Sequence, residues 1–186
     1  RHDNGRFIHS HCFTHDTTRA LLAERSAARA QRVYAMLSQT NQLVVRTEDR
    51  QQLFEEVCRI AVDTGKFRFA WIGLLGADRR LRRVAHAGVG GAYLTELEHG
   101  LDTTELGASN PAVLALREGV PTVSSDFLAD VGSASSRTAA SQAGFAAAAA
   151  LPIRFRGQTI GVLKLYSGEP GAFEAQEMAT LTEMAE

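Results

Sequence analysis

The sequence predicts an α+β domain: a central antiparallel sheet of five to six strands, with the N- and C-terminal helices on one face and loops and short helices on the other. Three observations lead there. Strand-like apolar runs follow one another in pairs across short turns, at 67–87 and at 145–167. Runs with helical spacing open and close the main body of the chain. Between the two hairpins lies a Gly-rich, largely irregular stretch, 88–109.

Near the N-terminus, Asp3-Asn4-Gly5 is a hairpin-turn signal, because Asn and Gly tolerate positive φ. Arg6 to Thr14 reads as one strand, whose partner is expected before Arg1. From Thr17 or Thr18, either able to cap, the run RALLAERSAARAQRVYAMLSQTNQLVV contains neither Gly nor Pro and reads as a helix. Its stripe Val33, Met36, Thr40, Leu43 has the three-four spacing of a helix seam. A second helix starts at Thr47-Glu48-Asp49 and runs to about Thr64, with Leu53, Phe54, Val57, Ile60 and Ala61 on one face. Gly65 is placed to end it in the left-handed conformation.

Phe67 to Leu75 and Leu81 to Ala87 form the first strand pair, across Gly76-Ala77-Asp78. One short helix is expected near Tyr93 to Glu98. Asn110-Pro111 opens a helix that Gly119 closes, since Pro fits the first turn and Gly the end. Val120 to Ser124 is a short strand, 133–144 a polar helical insertion, Phe145–Phe155 and Thr159–Ser167 a long hairpin, and Phe173–Glu186 the last helix.

Composition bounds the function. The 186 residues suit one domain plus a leading segment, and 45% hydrophobic with 22% charged residues is ordinary for a globular chain. A formal charge of -1 argues against a general nucleic-acid binder, which needs a basic excess. Cys12 and Cys58 have no CxxC spacing, so a reducing cytoplasm is expected. No stretch approaches the roughly 18 apolar residues of a membrane span, and no signal peptide is visible. The chain begins at Arg1 and is expected to be part of a longer protein.

Several strings together resemble the GAF domain over residues 38–186. KFRFAWIGLL resembles its first strand. SNPAVLALREGVPTVSSD resembles its middle helix and the strand ending in Ser125-Asp126. GFAAAAALPIRFRGQTIGVLKLYSGEPGAFEAQEMATLTEMAE resembles its closing hairpin and last helix. GRFIHSHCFTHDTT resembles the end of a PAS domain, with an aliphatic residue more usual where Thr17 stands. The resemblance implies a PAS tail over 1–17, a connecting helix over 18–46 and a GAF domain over 47–186. It further implies a sensory module without catalysis of its own. Such a module would relay a signal through its terminal helices to a diguanylate cyclase, phosphodiesterase or histidine kinase elsewhere in the parent protein. A homodimer is implied too, with Val33, Met36, Leu37 and Leu43 as the dimer helix face. A ligand-free dimerisation spacer is the rival reading.

The resemblance also frames the chemistry. One GAF branch reduces free methionine sulfoxide with cysteines around its pocket, but Cys12 lies outside the GAF segment and Cys58 sits in an apolar helix face. Covalent bilin needs a pocket cysteine, and 88–186 contains none. His86 and His99 flank the loop, yet one histidine alone makes no haem site, so haem is not expected. The Asn-Lys signature of cyclic-nucleotide binding is missing. His9, His11, Cys12, His15 and Asp16 could share an ion or simply line an exposed sheet face, and no metal is assigned. Trp71, Ser125, Asp126, Lys164 and Tyr166 are the candidate lining of a small-molecule pocket. Trp71 suits a core equally, Ser125 and Asp126 suit helix capping, and Lys164 suits solvent. The alanines 146–150 leave room for a ligand or for a close helix. Arg79, Arg80, Arg82 and Arg83 fit a solvated hairpin tip and guarded edge.

Overall fold

The structure, a computed structural model, describes residues 2–3, 6–7, 18–90, 92–95 and 110–185. At the N-terminus β1 (His2–Asp3) pairs antiparallel with β2 (Arg6–Phe7), His2 opposite Phe7. The described part of this strand thus has a partner in the chain itself, residues 2–3. The remainder of the expected strand to Thr14, and with it His9, His11, Cys12, His15 and Asp16, lies outside the described residues.

Two helices follow. Helix α1 spans Thr18–Arg46 and α2 spans Arg50–Asp63. Asp49 caps α2, its Oδ1 accepting from the Gln51 N–H at 2.8 Å. At the other end the left-handed residue is Lys66, at φ 60°, and Gly65 is not in that conformation. Gly65 serves by its size instead: a Cβ there would stand 2.6 Å from the Ala61 carbonyl oxygen and 3.0 Å from the Met36 sulfur. Among the described residues no helix is long and apolar enough to cross a membrane.

The sheet comprises β3 (Phe69–Leu75), β4 (Leu81–Gly88), β5 (Thr122–Ser124), β6 (Ala147–Phe155) and β7 (Gln158–Ser167). Its order is β4-β3-β7-β6-β5 and every neighbouring pair is antiparallel. Residues 92–95 make one helical turn. Helix α3 (Pro111–Glu118) is capped by Asn110 and ends at Gly119, at φ 66°, so the Pro and Gly signals act where the sequence placed them. Two short helices, α4 (Phe127–Asp130) and α5 (Ala134–Gln142), separate β5 from β6, and α6 (Ala175–Met184) closes the chain. At the β3–β4 turn Arg82 forks onto Asp78 at 2.9 and 2.6 Å, in solvent.

Strand alternation divides the core in two. Ala70, Ile72, Ala147, Ala149, Leu151, Leu163 and Leu165 face α1, α2 and α6. Phe69, Trp71, Ala148, Ala150, Val162 and Tyr166 face the short helices α3, α4 and α5. The sheet is thus buried on both sides, as the unbroken apolar run of β6 requires. The expected architecture holds, terminal helices on one face and loops with short helices on the other.

One expectation needs correction. Val33 and Met36 are buried in the core shared with α2, α6 and the sheet, and Leu43 packs against it. Leu37 is buried as well. This seam has its partner inside the same chain and is not free to bind a second copy. The large apolar residues of α1 that stay exposed are Leu21, Leu22, Tyr34, Val44 and Val45.

Candidate functional site

The face of the sheet opposite the terminal helices carries an aromatic cluster. Trp71 on β3 and Lys164 on β7 are register partners, and Ala150 on β6 is the next residue across. Two residues along β7 from Lys164, Tyr166 lies on the same face. Its ring stacks on Phe145 at 4.6 Å and meets Phe127 edge-on at 5.1 Å and Tyr93 edge-on at 5.6 Å. The Trp71 indole N–H donates to the Tyr166 hydroxyl at 3.2 Å, which donates to the Tyr93 hydroxyl at 3.4 Å. Burial satisfies these polar tips through one another, as aromatic residues with a polar end require.

Lys164 is the outlier on this face. It is 3% exposed, and its Nζ stands 5.3 Å from the Phe127 ring centre and 5.4 Å from that of Tyr166. Among the described residues no carboxylate pairs with it. Removal from water disfavours the ammonium and brings the pKa down to about 8. Burial acts oppositely on the phenols, raising Tyr93 to about 12 and Tyr166 well above its ordinary value.

The structure thus brings Trp71, Lys164 and Tyr166 together and leaves Ser125 and Asp126 out. Both of those are exposed, and Asp126 caps α4 by accepting from the Ala129 N–H at 3.2 Å. Ser124, one residue earlier, points inward and donates to Asp130 at 2.6 Å. Lys164, for which solvent was the alternative, is buried. Tyr93, Phe127 and Phe145 were missed by sequence reasoning: they sit at segment ends, where no strand or helix periodicity marks an inward side chain.

The remaining candidates can be placed as well. Cys58 is fully buried in α2, and burial pushes its thiol up to about 12. It is expected to react with iodoacetamide only after unfolding, checked by mass spectrometry of native and urea-treated protein. Modification of native Cys58 on the timescale of an exposed thiol would contradict that. His86 is exposed on β4, with Nδ1 2.7 Å from an Arg83 guanidinium nitrogen, and His99 lies outside the described residues. A separate cleft of about 220 Å³ lies between α1 and the β7–α6 connection. There Arg29 is already spent on Glu177, Glu174 and Glu169.

The sequence profile of one family, the GAF domain, matches residues 47–186. No curated protein matches the sequence. Among solved structures, the GAF domain of A. aeolicus nlh2 in an inactive state is similar over 85% of this chain and 93% of its own, with a TM-score of 0.63 and 12% identity. A domain ascribed to a two-component sensor histidine kinase from Sinorhizobium meliloti 1021 is similar over 75% and 88%, with a TM-score of 0.55 and 16% identity. Free methionine-R-sulfoxide reductase from Neisseria meningitidis, in complex with its substrate, is similar over 96% and 92%, with a TM-score of 0.62 and 16% identity. At these identities the likeness is one of fold. It overturns the expectation that the chain has no catalysis of its own, because the same fold is an enzyme in the Neisseria protein.

Proposed function

Since the chain belongs to the GAF domain family, we propose that it is a sensory and regulatory domain whose aromatic sheet face binds a small molecule. The observation that carries this reading is the alternation of β7. Lys164 and Tyr166 point to the aromatic face, while Leu163 and Leu165 sit in the core shared with α1, α2 and α6. A ligand that displaces β7 on one face moves the seat of the terminal helices on the other. Arg29 of α1 grips Glu174, the N-cap of α6, and Glu177 within it at 2.7 and 2.9 Å, so the two helices shift as a pair. Bias of an attached effector then requires only that the ligand prefer one of two helix packings.

In this reading 18–46 is the connecting helix, 47–186 the sensory unit and 1–17 the tail of a PAS domain, in a cytoplasmic protein ending in a cyclase, phosphodiesterase or kinase. The dimer contact uses the exposed side of α1, where Ala27, Gln31, Tyr34, Ser38, Asn41 and Val45 follow four-three spacing. Native mass spectrometry of the purified chain tests the reading. The expected result is a dimer carrying extra mass that leaves on denaturation. A bare mass, together with no rise in Tm in a metabolite screen, would establish the ligand-free spacer instead.

A further inference from the structure

We propose that Lys164 is the selecting group of a binding site for a monoanionic carboxylate with an apolar or aromatic body, seated against Trp71, Phe127 and Tyr166. The inference rests on the reading of this face as a ligand site and adds the ligand's chemistry. An ammonium 3% exposed at the centre of a five-stranded sheet is costly unless something negative meets it. Ring faces at 5.3 and 5.4 Å offset part of that cost and carry no formal charge. Among the described residues, the acids of the β5–α4 segment are engaged elsewhere: Asp130 accepts from Ser124, and Asp126 caps α4 in solvent.

The polar tips of the ring cluster are donors as well as Lys164. The Trp71 indole N–H donates to the Tyr166 hydroxyl and that hydroxyl to Tyr93, and an entering acceptor would take over these hydrogens. A set of donors around one cation suits an anion. A single cation balances a single negative charge, so a carboxylate fits, whereas a phosphate dianion would leave one charge uncompensated out of water. The walls are rings, and on β6 the residues opposite Tyr166 and Lys164 are Ala148 and Ala150, which take little space beside them. The body of the ligand is therefore apolar or aromatic and compact.

The chain has two lysines, Lys66 and Lys164, which makes a direct test practical. Protein labelled with ¹³C-lysine gives two side-chain signals, assigned through Lys66→Arg. The probes are acetate, butyrate, benzoate and phenylacetate, with ethanol, butanol and benzyl alcohol as neutral counterparts and inorganic phosphate as a second anion. The expected result is that at least one carboxylate moves the Lys164 signal, raises its titration midpoint by about one unit or more and raises Tm, while Lys66 is unmoved. Lys164→Met, checked as folded by circular dichroism, should lose the Tm response. Neutral alcohols raising Tm as much, with the Lys164 signal unmoved, would overturn anion selection and leave the sensory reading standing. Phosphate acting more strongly than every carboxylate would overturn the charge argument. No response at Lys164 to any carboxylate would also overturn the proposal, and the sensory reading would then be decided by the native mass alone.

Discussion

Glu177→Ala is expected to lower the unfolding free energy by about 2–3 kcal/mol, the range for losing charge-assisted hydrogen bonds at a buried carboxylate. Glu177 is 5% exposed and does two things at once. Its Oε1 accepts from the Arg29 guanidinium of α1 at 2.9 Å, and its Oε2 accepts from the backbone N–H groups of Phe173 and Glu174 at 3.0 and 3.2 Å. Phe173 sits at φ 73°, a conformation unfavourable for a residue with a Cβ. Its N–H bond to Glu177 and its stack on Phe67 at 5.5 Å hold it there. Loss of the carboxylate leaves Arg29 partly buried without its main partner and frees the start of α6. Urea unfolding should show a lower midpoint at an unchanged slope. Glu169→Ala is the control. That residue is 59% exposed and 3.5 Å from Arg29, so its loss should cost less than about 1 kcal/mol. Equal losses from the two variants would refute the assignment of Glu177 as the clamp between the helices.

Lys164→Met is expected to stabilise the chain at pH 7, on the order of 3 kcal/mol, and to flatten its stability above pH 8. The sign follows from the direction of the shift. Burial lowers the folded-state pKa of Lys164 to about 8, from an ordinary value of 10.5. Below pH 8 the lysine is protonated in both states and the full cost of burying the charge is present. Between pH 8 and 10.5 the folded chain releases its proton first, the unfolded chain binds more protons, and stability rises with pH. Tyr93 and Tyr166 act the other way above pH 10, because their phenols are held neutral by the fold and ionise first when unfolded. Cys58, whose thiol burial raises to about 12, acts the same way as the phenols from about pH 9. The clean window is therefore pH 8 to 9. Urea midpoints at pH 7, 8, 8.5 and 9 should climb for the parent relative to the methionine variant. A variant with the parent's slope would show that another group titrates. A residue that costs stability in the empty domain is what a binding function predicts.

How much was legible in the sequence differs between strands, caps and sites. β7 was readable because period two alone puts Lys164 and Tyr166 on a common face. α3 was readable because Asn110, Pro111 and Gly119 act through their own backbone chemistry. At β5 the polar-Asp signal was right about a cap and one residue out about the interior: Ser124 faces in and Ser125 out, since a one-residue step reverses a strand's side. At the end of α2 the glycine was found for the wrong reason. Its role is set by Met36 and Ala61, 29 and 4 residues away in sequence (Gly65 less each number), and local rules see only the helix end.

The sequence by itself determined the α+β class, the order of helices and strands, and membership of the GAF domain family, because periodicity, turn residues and family strings are local properties. Only the tertiary structure decided which partner each face receives. It turned the Val33–Met36 seam inward onto α2 and α6, and drew Tyr93, Phe127 and Phe145 around Tyr166. It also sealed Lys164 beneath those rings. Burial is a property of what packs on a side chain from distant segments. A lysine in the middle of an apolar strand therefore reads the same whether water or an aromatic wall awaits it.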